Sequence, residues 1–134
     1  MEYLRDKYRG FLATVGKGLK PRIVPVCFAY KEDRIYVPVD RKPKRTVFLA
    51  RLRDIEDNPN VSFIADTYSE DWSILSYILV FGKAYVLKEG EEFVSASNML
   101  LNRYPQYHKI GADFAFIICI EPVRVKLWRF TEAK

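Results

Sequence analysis

Residues 34–62 read RIYVPVDRKPKRTVFLARLRDIEDNPNVS. Arg34 to Val39 predicts a strand, and Asn58-Pro59 marks the stop of a helix before a second strand. Between them Asp40-Arg41-Lys42-Pro43-Lys44-Arg45-Thr46 is a short basic turn that opens the helix. Pro43 suits the first turn of a helix, where its missing N–H costs nothing. Arg41, Lys42, Lys44 and Arg45 therefore crowd a helix N-terminus, the wrong end for cations because unpaired N–H groups and the macrodipole already make it positive. Each exposed cation there costs roughly 0.3–1 kcal/mol. A bound anion removes the conflict: four cations, the helix-start N–H groups and the Thr46 hydroxyl can converge on one phosphate. A solvated basic loop is the commoner fate of a charge run, and on this stretch alone both readings stand.

Within the helix, Phe48, Leu52 and Ile55 recur at helical spacing and form a core-facing stripe. Arg51 and Arg53 fall outside it, while Asp54, Glu56 and Asp57 sit at the C-terminal end, again against the dipole. Upstream, residues 2–9 predict a short helix and Gly10 to Gly16 a strand. Lys17 to Pro21 is a turn by its Gly and Pro content. Arg22 to Tyr30 is apolar on both alternating faces, so it predicts one strand buried on both sides or covered by a ligand or second subunit. With Lys31-Glu32-Asp33 as the next turn, three successive strands predict an antiparallel meander. Pro25 and Pro38 each interrupt a Val-Pro-Val run, and proline cannot donate to a ladder. Either the sheet opens there and its backbone meets a ligand, or these are two edge bulges.

Downstream, Val61 to Ala65 predicts a strand that runs into a polar loop, Asp66 to Ser73, holding Trp72. That loop is a surface connection or the aromatic rim of a pocket. Leu75 to Leu87 predicts a long strand in which Gly82 marks a bulge or a close approach. Glu91 to Tyr104 predicts a second helix with Phe93, Leu100 and Tyr104 on one side, stopped by Pro105. A loop to residue 112 holds His108, then come strands from Phe114 to Ile120 and from Pro122 to Phe130. In the last strand Trp128 shares a face with Arg124 and Lys126, as in an edge strand or a cover for an aromatic anion.

These elements predict one domain, residues 1–134, that is mainly β: six or seven antiparallel strands as a barrel or bent sheet, with two to three flanking helices. With 49% hydrophobic and 15% aromatic residues the chain is globular, not disordered. No apolar run approaches a membrane span and the charged N-terminus has no signal-peptide core, so a cytoplasmic location is expected. Cys27 and Cys119 read as free thiols. The net charge of +5 favours an anionic partner without naming its class. No GxSxG, P-loop, HExxH, CxxC pair or GxGxxG is present, and one loop histidine is a poor basis for catalysis. No catalytic or metal-ligating residue is therefore assigned. An enzyme of this kind takes its reactive atom from a cofactor.

The succession FLATVG, PRIVPVCFAY, RIYVPVDRKPKRT, LARLRDIEDNPNVSFIAD and FGKAYVL resembles the pyridoxamine-5′-phosphate-oxidase-like flavin-binding split barrels over nearly the whole chain. Val-Asp-Arg-Lys-Pro-Lys-Arg-Thr, Glu-Asp-Trp-Ser and Arg103-Tyr104-Pro105-Gln106-Tyr107 look like the deazaflavin (F420)-dependent oxidoreductases of that superfamily. The resemblance implies a split β-barrel and a homodimer with two cofactor sites at the subunit interface. It implies that backbone at Val24, Pro25, Val26 and Val39 faces the ring, with Arg22 a basic position on the same strand. Lys42 and Lys44 match the phosphate-binding segment, helped by Arg41, Arg45 and Thr46. Trp72 and Trp128 are implied aromatic walls. Tyr77 stands where flavin-using oxidases of the superfamily carry glutamine, which argues against pyridoxamine oxidase activity.

The function expected is hydride transfer between bound F420 and a small-molecule acceptor. An FMN-binding reductase or oxidase, or a non-catalytic cofactor carrier, is the alternative. Arg51 and Arg53 could serve the longer tail of F420 or be solvated. A nucleic-acid-binding barrel fits the pI of ≈ 9.2 but not the concentration of charge at one turn or the core positions of the aromatics. Neither nucleic acid nor membrane is an expected partner.

Overall fold

The structure is a computed structural model that describes residues 1–40, 45–109 and 114–130, with residues 40 and 45–49 as backbone only. A 3₁₀ turn, Glu2–Leu4, precedes β1 (Gly10–Val15), β2 (Pro21–Val26), β3 (Ala29–Lys31) and β4 (Arg34–Asp40). Helix α1 (Arg45–Asp57), β5 (Asn60–Thr67), β6 (Ser76–Leu87), α2 (Glu91–Arg103), α3 (Gln106–Lys109) and β7 (Phe114–Arg129) follow. All seven strands belong to one antiparallel sheet of order β2-β1-β5-β6-β7-β4-β3.

That order makes β2 and β3 the two edges, although only Cys27 and Phe28 separate them in sequence. Three Cα–Cα steps hold Val26 and Ala29 within about 11 Å. A flat seven-stranded sheet cannot bring its edges so close, so the sheet curls into a barrel that is split along β2 and β4. The meander expected from residues 10–39 is therefore replaced: β1 pairs β2 and β3 pairs β4, but β2 and β3 do not pair. In the apolar run from Arg22 to Tyr30 Pro25 was the local sign of an interruption, but β2 continues through it to Val26 and the break falls at Cys27–Phe28. Its cause is tertiary: the Tyr104 hydroxyl, brought from the end of α2, accepts from Phe28 N–H at 3.0 Å and lies 3.0 Å from its carbonyl.

Inside the curl Leu12, Phe28, Val37, Phe63, Val80 and Ile118 are fully buried. Helix α1 closes one side with Leu52 and Ile55, two members of its expected stripe; the side chain of Phe48 lies outside the described residues. A second core lies under α2, where Leu100 and Tyr104 meet Tyr36, Ile117 and Cys119. Burial of such side chains stabilises by about 1.5–3 kcal/mol each.

β6 and β7 run beside each other for twelve residue pairs and serve both cores. Their register shifts between Phe81 and Gly82, the bulge expected from the glycine. A Cβ on Gly82 would meet the Glu121 carbonyl oxygen at 2.6 Å, so the close approach admits no side chain. β7 is one strand from residue 114 to 129, where Glu121-Pro122 reads as a break between two. Pro122 is tolerated because β4 ends its pairing at Ile120, leaving that stretch of β7 as an edge. The expected helix over residues 2–9 shortens to three residues, and the loop after Pro105 contains α3.

Candidate functional site

The two Val-Pro-Val runs flank the split. β3 and β4 pair from Lys31–Arg34 to Ala29–Tyr36 and stop. Continuing that register would set Cys27 against Pro38 and Val26 against Val39, yet the ladder ends, and β2 turns its other edge to β1. Each proline removes a donor from the would-be ladder. The edge-and-bulge reading has its counterpart, since β2 is an edge strand and β4 shifts register between Val39 and Asp40. Val26 and Val39 are buried, Val24 is half-buried and Pro25 is exposed.

Arg22 opens this strand on the face shared by Val24 and Val26. Its Nε donates to Asp54 Oδ2 at 3.0 Å, and the Thr14 hydroxyl donates to the same oxygen at 2.9 Å. Asp54, near the C-terminal end of α1, is 9% exposed. The Arg22 side chain is 42% exposed, and only its Nε is bonded among the described residues. Sequence reasoning marked Asp54 as misplaced against the helix dipole but missed its partners, which lie 32 and 40 residues away.

Arg41, Lys42, Pro43 and Lys44 of the basic turn lie outside the described residues, as do the side chains of Arg45 and Thr46. The backbone of Arg45 and Thr46 opens α1.

Tyr77 and Trp128 are cross-strand partners with rings stacked at 5.4 Å and 18°. Trp72, 60% exposed, lies in a 3₁₀ turn (Trp72–Ile74) at the same end of the β5–β6 hairpin. Asp71 caps that turn, accepting from Ser73 N–H at 3.1 Å and its hydroxyl at 2.7 Å. The three aromatic residues thus gather at one end of the ladder, with Tyr77 three strands and Trp128 four strands from β2 in the sheet order. Val39 pairs Phe116 at the other end of β7, up to about 40 Å of strand from Trp128.

Beside the Cys27–Phe28 linker a cavity of ≈ 480 Å³ is lined by Tyr8, Cys27, Arg103, Tyr104 and Tyr107. Arg103 donates to the carbonyls of Leu4, Arg5 and Lys7, which pins the N-terminal segment over it.

A polar cluster lies under the start of α2. Glu92 accepts from Arg34 at 2.8 Å, from the Tyr36 hydroxyl at 2.8 Å and from the Tyr85 hydroxyl at 3.2 Å. Burial works to raise the carboxyl pKa of Glu92, but the bonds from Tyr36, Arg34 and Tyr85 outweigh it and hold it below the usual range. Burial pushes the Cys119 thiol up to about 11. Cys27 and Cys119 are both free, and His108 is exposed on α3. Among the described residues no group of three His, Cys, Asp or Glu could hold a metal, and no helix is long and apolar enough to cross a membrane.

In sequence, residues 1–129 match the model of the pyridoxamine 5′-phosphate oxidase family. No curated protein matches the chain. Solved structures share the fold at low identity. The haem storage protein HutZ from Vibrio cholerae superposes with a TM-score of 0.74 at 15% identity, over 96% of this chain and 89% of that one. An FAD-binding protein from Mesorhizobium loti gives 0.72 at 17% identity, over 94% and 87%. The FAD binding protein from Mycobacterium smegmatis gives 0.59 at 14% identity, over 96% and 92%. The split barrel, its strand order and the match over residues 1–129 agree: the chain belongs to the pyridoxamine 5′-phosphate oxidase family.

Proposed function

We propose that the chain is a cofactor-dependent oxidoreductase working as a homodimer, with FMN or the deazaflavin F420 held along the split between β2 and β4. The observation that carries this reading is the split itself, where two Val-Pro-Val strands face each other without a ladder. Unpaired backbone groups on β2 and β4 suit the polar edge of a flat ring, and Arg22 at the start of β2 suits its anionic tail. Two fold neighbours are FAD-binding proteins, which supports a flavin class of cofactor. Lys42 and Lys44, helped by Arg41, Arg45 and Thr46, take the phosphate in this reading. Tyr77, Trp72 and Trp128 serve as aromatic walls of the site on the second copy. Such a cofactor supplies hydride transfer when bound. The protein contributes orientation and exclusion of water, and the cavity beside Cys27 accommodates the acceptor.

The haem storage neighbour favours a second reading, a carrier that binds its cofactor without turning it over. Fluorescence titration with FMN and with F420 ranks the cofactors, and turnover of bound reduced cofactor separates enzyme from carrier. Changing Lys42 and Lys44 to alanine should weaken binding at least tenfold with the melting temperature unchanged. Unchanged affinity would remove the basic turn from the site, and saturable binding of neither cofactor would overturn the reading.

A further inference from the structure

We propose that Asp54 is a positioning residue that aims the Arg22 guanidinium at the phosphate of the bound cofactor, an inference that rests on the function proposed above. Asp54 sits where the helix dipole disfavours a carboxylate, near the C-terminal end of α1. Two donors from the sheet compensate: Thr14 of β1 at 2.9 Å and Arg22 of β2 at 3.0 Å, both on Oδ2. The other oxygen lies against Gly16, where an added Cβ would meet it at 2.5 Å. The carboxylate is thus fixed by one residue on β1, one on β2 and the turn between them.

Its bond to Arg22 uses Nε alone. A guanidinium is a rigid planar fork, so holding Nε sets the direction of both terminal nitrogens. Those nitrogens bond to nothing else among the described residues, and the side chain is 42% exposed. A cation with one edge anchored and the other free loses less freedom on binding a phosphate than an unanchored one. The same carboxylate ties α1, whose first turn follows the basic segment, to the strand that carries Val24, Pro25 and Val26.

FMN and riboflavin differ by one phosphate and therefore separate aiming from general damage. Arg22→Gln should weaken FMN at least tenfold and leave riboflavin within twofold of wild type. Asp54→Asn should weaken FMN about three- to tenfold, again sparing riboflavin. In the Arg22→Gln background Asp54→Asn should add nothing, because it acts through the arginine. Arg22→Lys, an exposed change that keeps the charge without the fork, should also make FMN affinity insensitive to Asp54→Asn. An equal loss of FMN and riboflavin on Asp54→Asn would make the residue structural only and overturn the proposal. So would a gain in FMN affinity, which would mean that Asp54 competes with the phosphate. Wild-type binding is read before any variant is made: where the chain takes F420 and not FMN, F420 and its phosphate-free deazaflavin nucleoside replace FMN and riboflavin in the same comparison, and failure to bind any of these would overturn the function reading and this inference with it.

Discussion

Glu92 shows how one residue's surroundings become a property of the fold. Four groups converge on its carboxylate: Arg34, Tyr36, Tyr85 and, at 3.7 Å, the Cys119 thiol. Burial, then the bond to Glu92, pushes the Tyr36 hydroxyl pKa up, so this donor stays protonated. Because the folded carboxyl titrates below its ordinary value of 4.5, the unfolded chain binds the proton more readily. The stabilisation is therefore present above about pH 4.5 and is lost as pH falls through the folded value. Glu92→Gln should cost about 1–3 kcal/mol at neutral pH and flatten the acid limb of the stability curve. Urea midpoints from pH 7 to pH 3 test this: parallel wild-type and variant curves would show that Glu92 contributes no pH dependence. The same logic of placement explains why Asp54 was half legible. A carboxylate at the wrong end of a helix is visible in sequence, but partners 32 and 40 residues away are not.

At the scale of elements, local chemistry announced itself and pairing did not. The Gly82 bulge and the Leu100 and Tyr104 side of α2 were legible because each is a short-range rule about backbone or periodicity. The break of the Arg22–Tyr30 run and the fusion of residues 114–129 into one strand were not. Both depend on which distant strand lies alongside. Residues 27–28 fall out of the ladder because a hydroxyl from residue 104 replaces the strand partner. The basic turn, the strongest signal for the candidate site in the sequence, lies outside the described residues. Tyr104→Phe isolates the replacement. It keeps the ring, which is 7% exposed, but leaves the buried Phe28 N–H without an acceptor. The expected cost is about 1–3 kcal/mol. Hydrogen exchange should accelerate at residues 27–29 while Phe63 and Val80 in the central strands stay protected. Uniform acceleration across the sheet would show that Tyr104 supports global stability and not the linker in particular.

For the whole molecule, the question is what covers a core that continues past its own barrel. Val125 and Leu127 pair with Val80 and Ile78, which are 0% and 2% exposed, yet they are themselves 46% and 41% exposed. Val123, at 72%, extends the row and lines an apolar cleft of ≈ 440 Å³ with Pro21 and Phe81. Ile23 on the opposite edge strand is 65% exposed. An apolar surface of this extent, carried on a strand edge with unpaired backbone groups, invites a partner. The separation of Trp128 from Val39 along β7 invites the same partner from the side of function. In the homodimer proposed above a second copy of the chain would meet both needs, the aromatic end of each subunit reaching the split of the other. The proposed dimer should sediment at twice the 15.7 kDa chain mass at micromolar concentration. Changing Val125 and Leu127 together to aspartate should yield a monomer, because two charges buried in an interface are not compensated. FMN affinity should then fall at least tenfold, while circular dichroism shows the strands intact. Two results would break the link between assembly and site: a wild-type chain that is monomeric yet binds cofactor, or an aspartate variant that is monomeric and binds it as well as before.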